Sequence, residues 1–317
     1  MTVALALLFL GAVTAALAPR VLARSPWADR EPVLALWVWQ CVVVAVLLCC
    51  VLAMALFAAE AWQAVRGQVF APAPRQVVEA YALTGDGHPW AAVLAFALFA
   101  GGAWSAAMLT REVLGARSRR RARRRELRTR APLLPGEEES TSRRLTVLEG
   151  ERPGAWWLPG SAPRLVITTG ALHRLKGRQL DAVLAHEEGH VRARHDWLLH
   201  SSAALATAFP RVPVFRAFRQ QMHRLVELAA DDVASRRFGR LTTALALVGL
   251  NEDRGVFGPC PSPGSAHGDH LPQRVNRLLS PADRLSVGNR LRVTALASLV
   301  PVVPLLVTFA PGLRALG

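Results

Sequence analysis

The stretch LAHEEGHVRARHDW, residues 184–197, sets His186 and His190 four positions apart with Glu187 beside the first of them. Residues i and i+4 share a face of an α-helix, so both imidazoles can be aimed at one point while Glu187 stands slightly to the side. That is the start of a zinc site. A zinc hydrolase also needs a third protein ligand, a position for water and a base. The stretch VELAADDVA repeats the same spacing with carboxylates, Glu227 and Asp231. Glu227 can face the ion, and Asp231, one turn on, can accept the free imidazole N–H of a ligand histidine and fix its tautomer. Two neutral imidazoles and one carboxylate leave a divalent cation net positive and able to polarise a carbonyl. One Zn2+ per chain is the expected cofactor, with Glu187 as the catalytic base. His195 invites a rival assignment, but the three-histidine pattern H-E-x-x-H-x-x-G-x-x-H fails, because Ala193 and Asp196 stand where it needs Gly and His. Asp232 and Glu188 read as solvated acids.

Helices must deliver these groups. RQLDAVLAHEEGH has an apolar side made by Leu180, Val183, Leu184 and Val191 and is expected to start near Gly177. VFRAFRQQMHRLVELAADDVASRRFG reads as one long helix ending at Gly239; LTTALALVGL and the amphipathic LPQRVNRLL follow it, separated by a loop over 251–270. Ahead of the histidines lie short β-like runs, LTVLEG and RLVITTG, on either side of the turn-rich ERPGAWWLPGSAP. The second run, with Leu165, Val166, Ile167 and Thr168, is expected to hold an extended substrate by main-chain hydrogen bonds, as peptides bind at sheet edges. His270, Arg274 and His223 are the candidates for stabilising an oxyanion, and sequence does not separate them. The only tyrosine, Tyr81, falls in a loop expected on the other side of the membrane.

A membrane is implied by composition. Of 317 residues 52% are hydrophobic and only 19% charged, too apolar for a simple soluble enzyme of this size. Four stretches approach the roughly 20 apolar residues that a span needs: about 1–18, 33–59, 90–110 and 293–313. A cleaved leader is the alternative for the first, with Ala16-Leu17-Ala18 as its site, but MTVALALL carries no basic residue ahead of the apolar run. The net charge of +15 is local: ten arginines and two glutamates fall between Arg111 and Arg130. Directly after a span, such a run reads as a cytoplasmic topological anchor rather than a nucleic-acid arm, so no direct nucleic-acid binding is expected. The N-terminus is then outside and the large domain inside. Cys41, Cys49 and Cys50 sit in the second stretch and Cys260 in a Pro/Gly-rich loop, with no zinc or disulfide pattern.

The order of three spans, basic segment, V-I-T-T-G, L-A-H-E-x-x-H, E-x-x-A-D and final span resembles the membrane-embedded gluzincins of the β-lactam- and methicillin-sensor transducer type, above all their short actinobacterial form. AWWLPGSAPRLVITTGALHRLKGRQLDAVLAHEEGH is also similar to prenyl-protein and heat-shock membrane peptidases. The resemblance implies a plasma-membrane zinc endopeptidase with His186, His190 and Glu227 as ligands and Glu187 as base. Its substrate would be a protein or peptide, and a cytoplasmic transcriptional repressor is the candidate that the transducers suggest. The expected fold is mainly α: four transmembrane helices, with a cytoplasmic α+β zincin-like (gluzincin) metallopeptidase domain inserted between spans three and four. The expected boundaries are 1–110 for three spans, 111–142 for a basic linker, 143–290 for the peptidase domain and 291–317 for the last span and tail. The transducers carry an extracellular penicillin-binding domain after their last span, whereas this sequence ends a few residues beyond it, so β-lactam sensing by that route is not expected. Two alternatives stay open: a non-catalytic transducer stabilised by zinc, and a site-2-type intramembrane protease. Arg178, Asp181, Arg192 and Arg194 flank the motif and argue against the second.

Overall fold

Apolar sequence length decides the first half of the chain. The computed structural model describes residues 2–65, 89–130, 145–158, 164–251, 271–280 and 284–316. Helix α1 (Thr2–Leu22), a single turn α2 (Trp27–Arg30), α3 (Pro32–Val65) and α4 (Pro89–Arg130) come first. Three segments of these helices, Thr2–Leu22, Pro32–Ala59 and Ala92–Arg119, are long and apolar enough to cross a membrane. Strands β1 (Leu145–Leu148), β2 (Ala155–Leu158) and β3 (Arg164–Thr168) follow, then α5 (Thr169–Arg174), α6 (Arg178–Arg192), α7 (His195–Ala208), α8 (Pro213–Phe238), α9 (Arg240–Asn251) and α10 (Leu271–Leu279). Last are α11 (Val287–Leu299) and α12 (Val302–Leu316). The expected fourth span is broken: α11 and α12 are bent by 48° where Val300 and Pro301 interrupt the helix, since proline lacks the N–H that would continue it. They make a fourth candidate span only if the bent pair counts as one.

The chain forms two compact units. The first comprises Met1–Thr110, Ser202–Gln221 and Leu285–Gly317. In it α1 and α3 pack through Ala4, Leu7, Ala53 and Phe57, with the Trp90 ring edge-on to Phe57. The segment Ser202–Gln221 belongs here, although a contiguous peptidase domain over 143–290 was expected. Its residues explain why: Phe209, Phe215 and Phe218 are apolar, and Phe218 lies 6.4 Å from the buried ring of Trp39.

The second unit comprises Arg111–Ser201 and Met222–Arg284. Its sheet has the order β1-β3-β2, with β1 parallel and β2 antiparallel to β3. This corrects the expectation for Leu165, Val166, Ile167 and Thr168. They form the central strand, with both hydrogen-bonding edges taken by β1 and β2, so a substrate cannot add to it. All four are buried, and Ile167 joins Ala171, Leu175, Ala182, Val183 and Ala246 in the core between sheet and helices.

The T-T-G that ends β3 has a structural task. Thr168 Oγ1 caps α5 by accepting from the Ala171 N–H at 3.2 Å, accepts from Gly154 N at 2.9 Å and donates to Arg152 O at 2.8 Å. Gly170 N donates to Gly150 O at 2.8 Å, and a Cβ at Gly170 would stand 2.1 Å from Glu151 O, so only glycine fits. Together these contacts pin the loop 150–154 that leads into β2.

Candidate metal centre

Helix α6 starts where expected. Gly177 at φ 51° breaks the preceding backbone, and Gln179 Oε1 accepts from the Lys176 N–H at 3.1 Å. Helix α8 runs past the carboxylates to Gly239, whose φ of 89° ends it. The closeness of the two helices depends on Gly189 inside H-E-E-G-H. A Cβ there would meet Val233 Cβ at 3.3 Å, tighter than ordinary packing, and would touch the Ala230 Cα at 3.5 Å.

At this approach three side chains converge. His186 Nε2 lies 3.2 Å from His190 Nε2 and 3.5 Å from Glu227 Oε2, and His190 Nε2 lies 3.5 Å from Glu227 Oε1. Two atoms about 2.0–2.1 Å from a tetrahedral zinc are separated by roughly 3.3–3.4 Å, and these separations, measured to one or other oxygen of the Glu227 carboxylate, lie close to that value. The donor set, two imidazoles and a carboxylate, suits zinc as well.

Asp231 has no exposure, and its Oδ1 lies 3.0 Å from His186 Nδ1, on the side of that ring away from the convergence point. Arg274 was expected as an oxyanion candidate; instead it clamps the carboxylates. Its Nε and Nη2 donate to Asp231 Oδ2 and Oδ1 at 2.8 and 2.7 Å, and its Nη1 lies 2.9 Å from Glu227 Oε2. Asp232 is not a free solvated acid, since Arg277 donates to it at 2.8 Å. Helix α10 thus grips α8 through two Arg–Asp pairs. It is itself held by Arg240, whose guanidinium donates to the carbonyls of Arg277, Leu278 and Ser280 at its C-terminus. Glu188 is likewise engaged, bridging Arg192 and Arg237. These last pairs are substantially exposed and contribute little.

Electrostatics draw positive charge to the convergence point. Burial alone would lower the pKa of His186, but Asp231 and Glu227 overcome it and push the imidazole up to about 9. Burial and the adjacent His186 hold His190 down near 4. Burial raises the Glu227 carboxyl, yet His186 and Arg274 prevail and keep it far below the usual range. A divalent cation meets the same demand that the His186 proton does.

Sequence reasoning weighs His195 only as a third metal ligand and sets it aside; it does not foresee the contact with His190. His195, only 3% exposed, places Nδ1 3.0 Å from His190 Nδ1.

A cavity of about 330 Å³ opens beside the triangle. Glu187, His223 and Arg274 line it, together with an aliphatic wall of Ala182, Val183, Ala246, Leu247 and Leu250 and the residues Pro153–Ala155. His270 and Tyr81 lie outside the described residues.

Residues 137–281 match the sequence model of peptidase family M48. That stretch, a little under half of the chain, contains β1 to β3, the whole H-E-x-x-H helix, the E-x-x-A-D segment and α10. The M48 match supports a metallopeptidase. Its agreement with the convergence of His186, His190 and Glu227 is independent of the apolar helices, because none of those near the N-terminus falls inside the matched range. No curated protein and no solved structure matches this chain.

Proposed function

We propose that this chain is an integral-membrane zinc endopeptidase that hydrolyses peptide bonds of a protein substrate at the cytoplasmic face, in regulatory proteolysis of the sensor-transducer kind. The observation that carries the reading is the triangle of 3.2, 3.5 and 3.5 Å between His186, His190 and Glu227, with Glu187 on the wall of the adjoining cavity. The apolar segments support membrane insertion, with α11 and α12 together as a fourth, bent span. The basic run at the end of α4 supports a cytoplasmic second unit.

His186, His190 and Glu227 would hold zinc, which supplies Lewis acidity that polarises a carbonyl and lowers the pKa of water. Glu187 removes a proton from the attacking water as the oxygen–carbon bond forms, then returns it to the amine nitrogen as the carbon–nitrogen bond breaks. His223 sits one turn before Glu227 on α8 and lines the cavity, which supports it as the donor to the tetrahedral oxyanion, given that Arg274 is committed to two carboxylates. Ala155, at the start of β2, lines the cavity, and among the described residues β2 pairs on one side only, with β3. Its other edge can take an extended peptide by strand addition. The aliphatic wall favours a substrate with an apolar side chain beside the scissile bond.

The test is Glu187→Gln in purified full-length protein, read by metal content and by cleavage of a fluorogenic peptide library. The expected result is wild-type zinc content with turnover reduced by roughly 10²–10⁴-fold. Undiminished turnover, or a wild-type protein that takes up no zinc, overturns the reading.

A further inference from the structure

We propose that His195 is a positioning residue for the metal centre, accepting the hydrogen bond that fixes His190 in the tautomer presenting Nε2 to the ion. The inference rests on the zinc reading above and concerns a residue that the H-E-x-x-H pattern does not contain.

The geometry of His190 carries it. Its Nε2 lies 3.2 Å from His186 Nε2 and 3.5 Å from Glu227 Oε1, so that nitrogen faces the convergence point. A ligating nitrogen offers a lone pair, which leaves the ring proton on Nδ1. That N–H then needs an acceptor, and His195 Nδ1 stands 3.0 Å away. For His195 to accept there it must be neutral with its own proton on Nε2. The rings meet nearly edge-on, at 83° with centroids 4.9 Å apart. With 3% exposure, His195 leaves little room for water to take over the contact.

The chain makes a specific turn to bring this about. On a continuing helix, a residue five positions after His190 would lie about 140° around the axis from it, since successive residues turn by about 100°. Instead α6 ends, Arg194 adopts φ 51°, and Arg194 N and Trp197 N donate to Val191 O and Arg194 O at 3.1 and 3.0 Å. The chain folds back so that His195, the first residue of α7, faces His190. A non-glycine residue at positive φ is disfavoured, so the chain carries a local backbone cost at the turn that brings His195 to His190.

The two ligand histidines on α6 therefore have chemically different outer partners. His186 has the buried carboxylate of Asp231, and His190 has a neutral imidazole. A second carboxylate at His195 would further offset the ion's charge; the imidazole orients without doing so.

The experiment compares full-length wild type with His195→Asn, which keeps an acceptor oxygen, and His195→Leu, which fills similar space without one. Zinc affinity is measured by chelator competition, and the Co2+-substituted proteins are compared by visible absorption. Leucine is expected to weaken zinc binding by roughly 10–100-fold and to alter the cobalt bands, as loss of an outer hydrogen-bond partner does elsewhere. Asparagine should keep wild-type bands and affinity to within about threefold, well inside the loss expected for an absent acceptor. Leucine with wild-type affinity and bands overturns the inference while leaving the zinc reading intact. So does asparagine as impaired as leucine, which would mark a packing role. If leucine fails to fold, asparagine decides alone, and a tenfold loss of affinity in it overturns the proposal. A wild-type protein that binds no zinc removes both readings together.

Discussion

Replacing Arg274 with Met tests whether the site is held by charge or by shape. Methionine approximates the length of the arginine stem, so packing changes little, but three nitrogen contacts disappear. Asp231 Oδ2 loses its 2.8 Å donor, Oδ1 loses one at 2.7 Å, and Glu227 Oε2 loses its neighbour at 2.9 Å. Asp231 has no exposure and Arg274 11%, so water does not stand in. Removing one partner of such a buried pair costs about 3–5 kcal/mol, chiefly because the remaining charge is left uncompensated. For a unit of this size each kcal/mol lowers the melting temperature by about 2–4 °C, which gives a fall of roughly 6–20 °C. The assay is thermal unfolding of chelated protein in detergent, followed by near-UV circular dichroism. Adding Asp231→Asn to the variant removes the stranded charge and should recover part of the loss, whereas Asp231→Asn alone should destabilise. A single variant melting within about 2 °C of wild type, less than 1 kcal/mol on the same scale, would refute the assignment of Arg274 as the clamp.

Gly189→Ala should loosen the ligand triangle, because the new methyl needs a few tenths of an ångström from Val233 on α8. A drop in zinc affinity of tenfold or more is expected, of the order seen when outer contacts are lost, and unchanged affinity in a competition titration would count against the close approach as a constraint. Zinc affinity should also rise with pH. His186 holds its proton up to about 9 and must release it to ligate, so affinity should climb about tenfold per pH unit between 7 and 8 and level off above 9. The same raised value stabilises the chelated fold fully below the unfolded histidine value of about 6.5, a contribution lost as pH rises through 9. Flat affinity across that range in competition titrations would contradict the charge balance described for the site.

Helix-face arguments could read what lies on a single rod. The pairing of His186 with His190 and of Glu227 with Asp231 follows from i, i+4 spacing; the second helix runs where periodicity places it, and the first starts as expected but ends at Arg192 instead of continuing through Trp197. Sheet order was not legible, because strands of four or five residues carry no mark of which neighbour they choose. AWWL reads as part of a turn, which leaves β3 free to meet substrate, yet AWWL is β2 and β3 is the middle strand. His195 was hidden for another reason. It meets His190 across a turn made by an arginine at positive φ, where a glycine or asparagine would have been the usual signal. The grip of α10 left a usable clue: two adjacent acids on one helix, Asp231 and Asp232, and two arginines three apart on another, Arg274 and Arg277, are a matched set. Pro301 likewise marks the break in the last apolar stretch.

The outer partners of the three proposed zinc ligands differ in charge, and the difference is informative. His186 is backed by an anion, His190 by a neutral ring and Glu227 by a cation. Had all three been carboxylates, the ion's charge would be offset and its acidity weakened; had all been cations, the ion would be repelled. The graded arrangement aims each ligand from behind while letting Arg274 compensate Asp231, so the buried charges balance within a few ångströms. It also separates orientation from charge. His195 can align His190 without altering the net charge of the site, whereas Arg274 cannot be removed without altering it. Loss of the His195 acceptor should therefore act first on metal affinity, and loss of Arg274 first on stability.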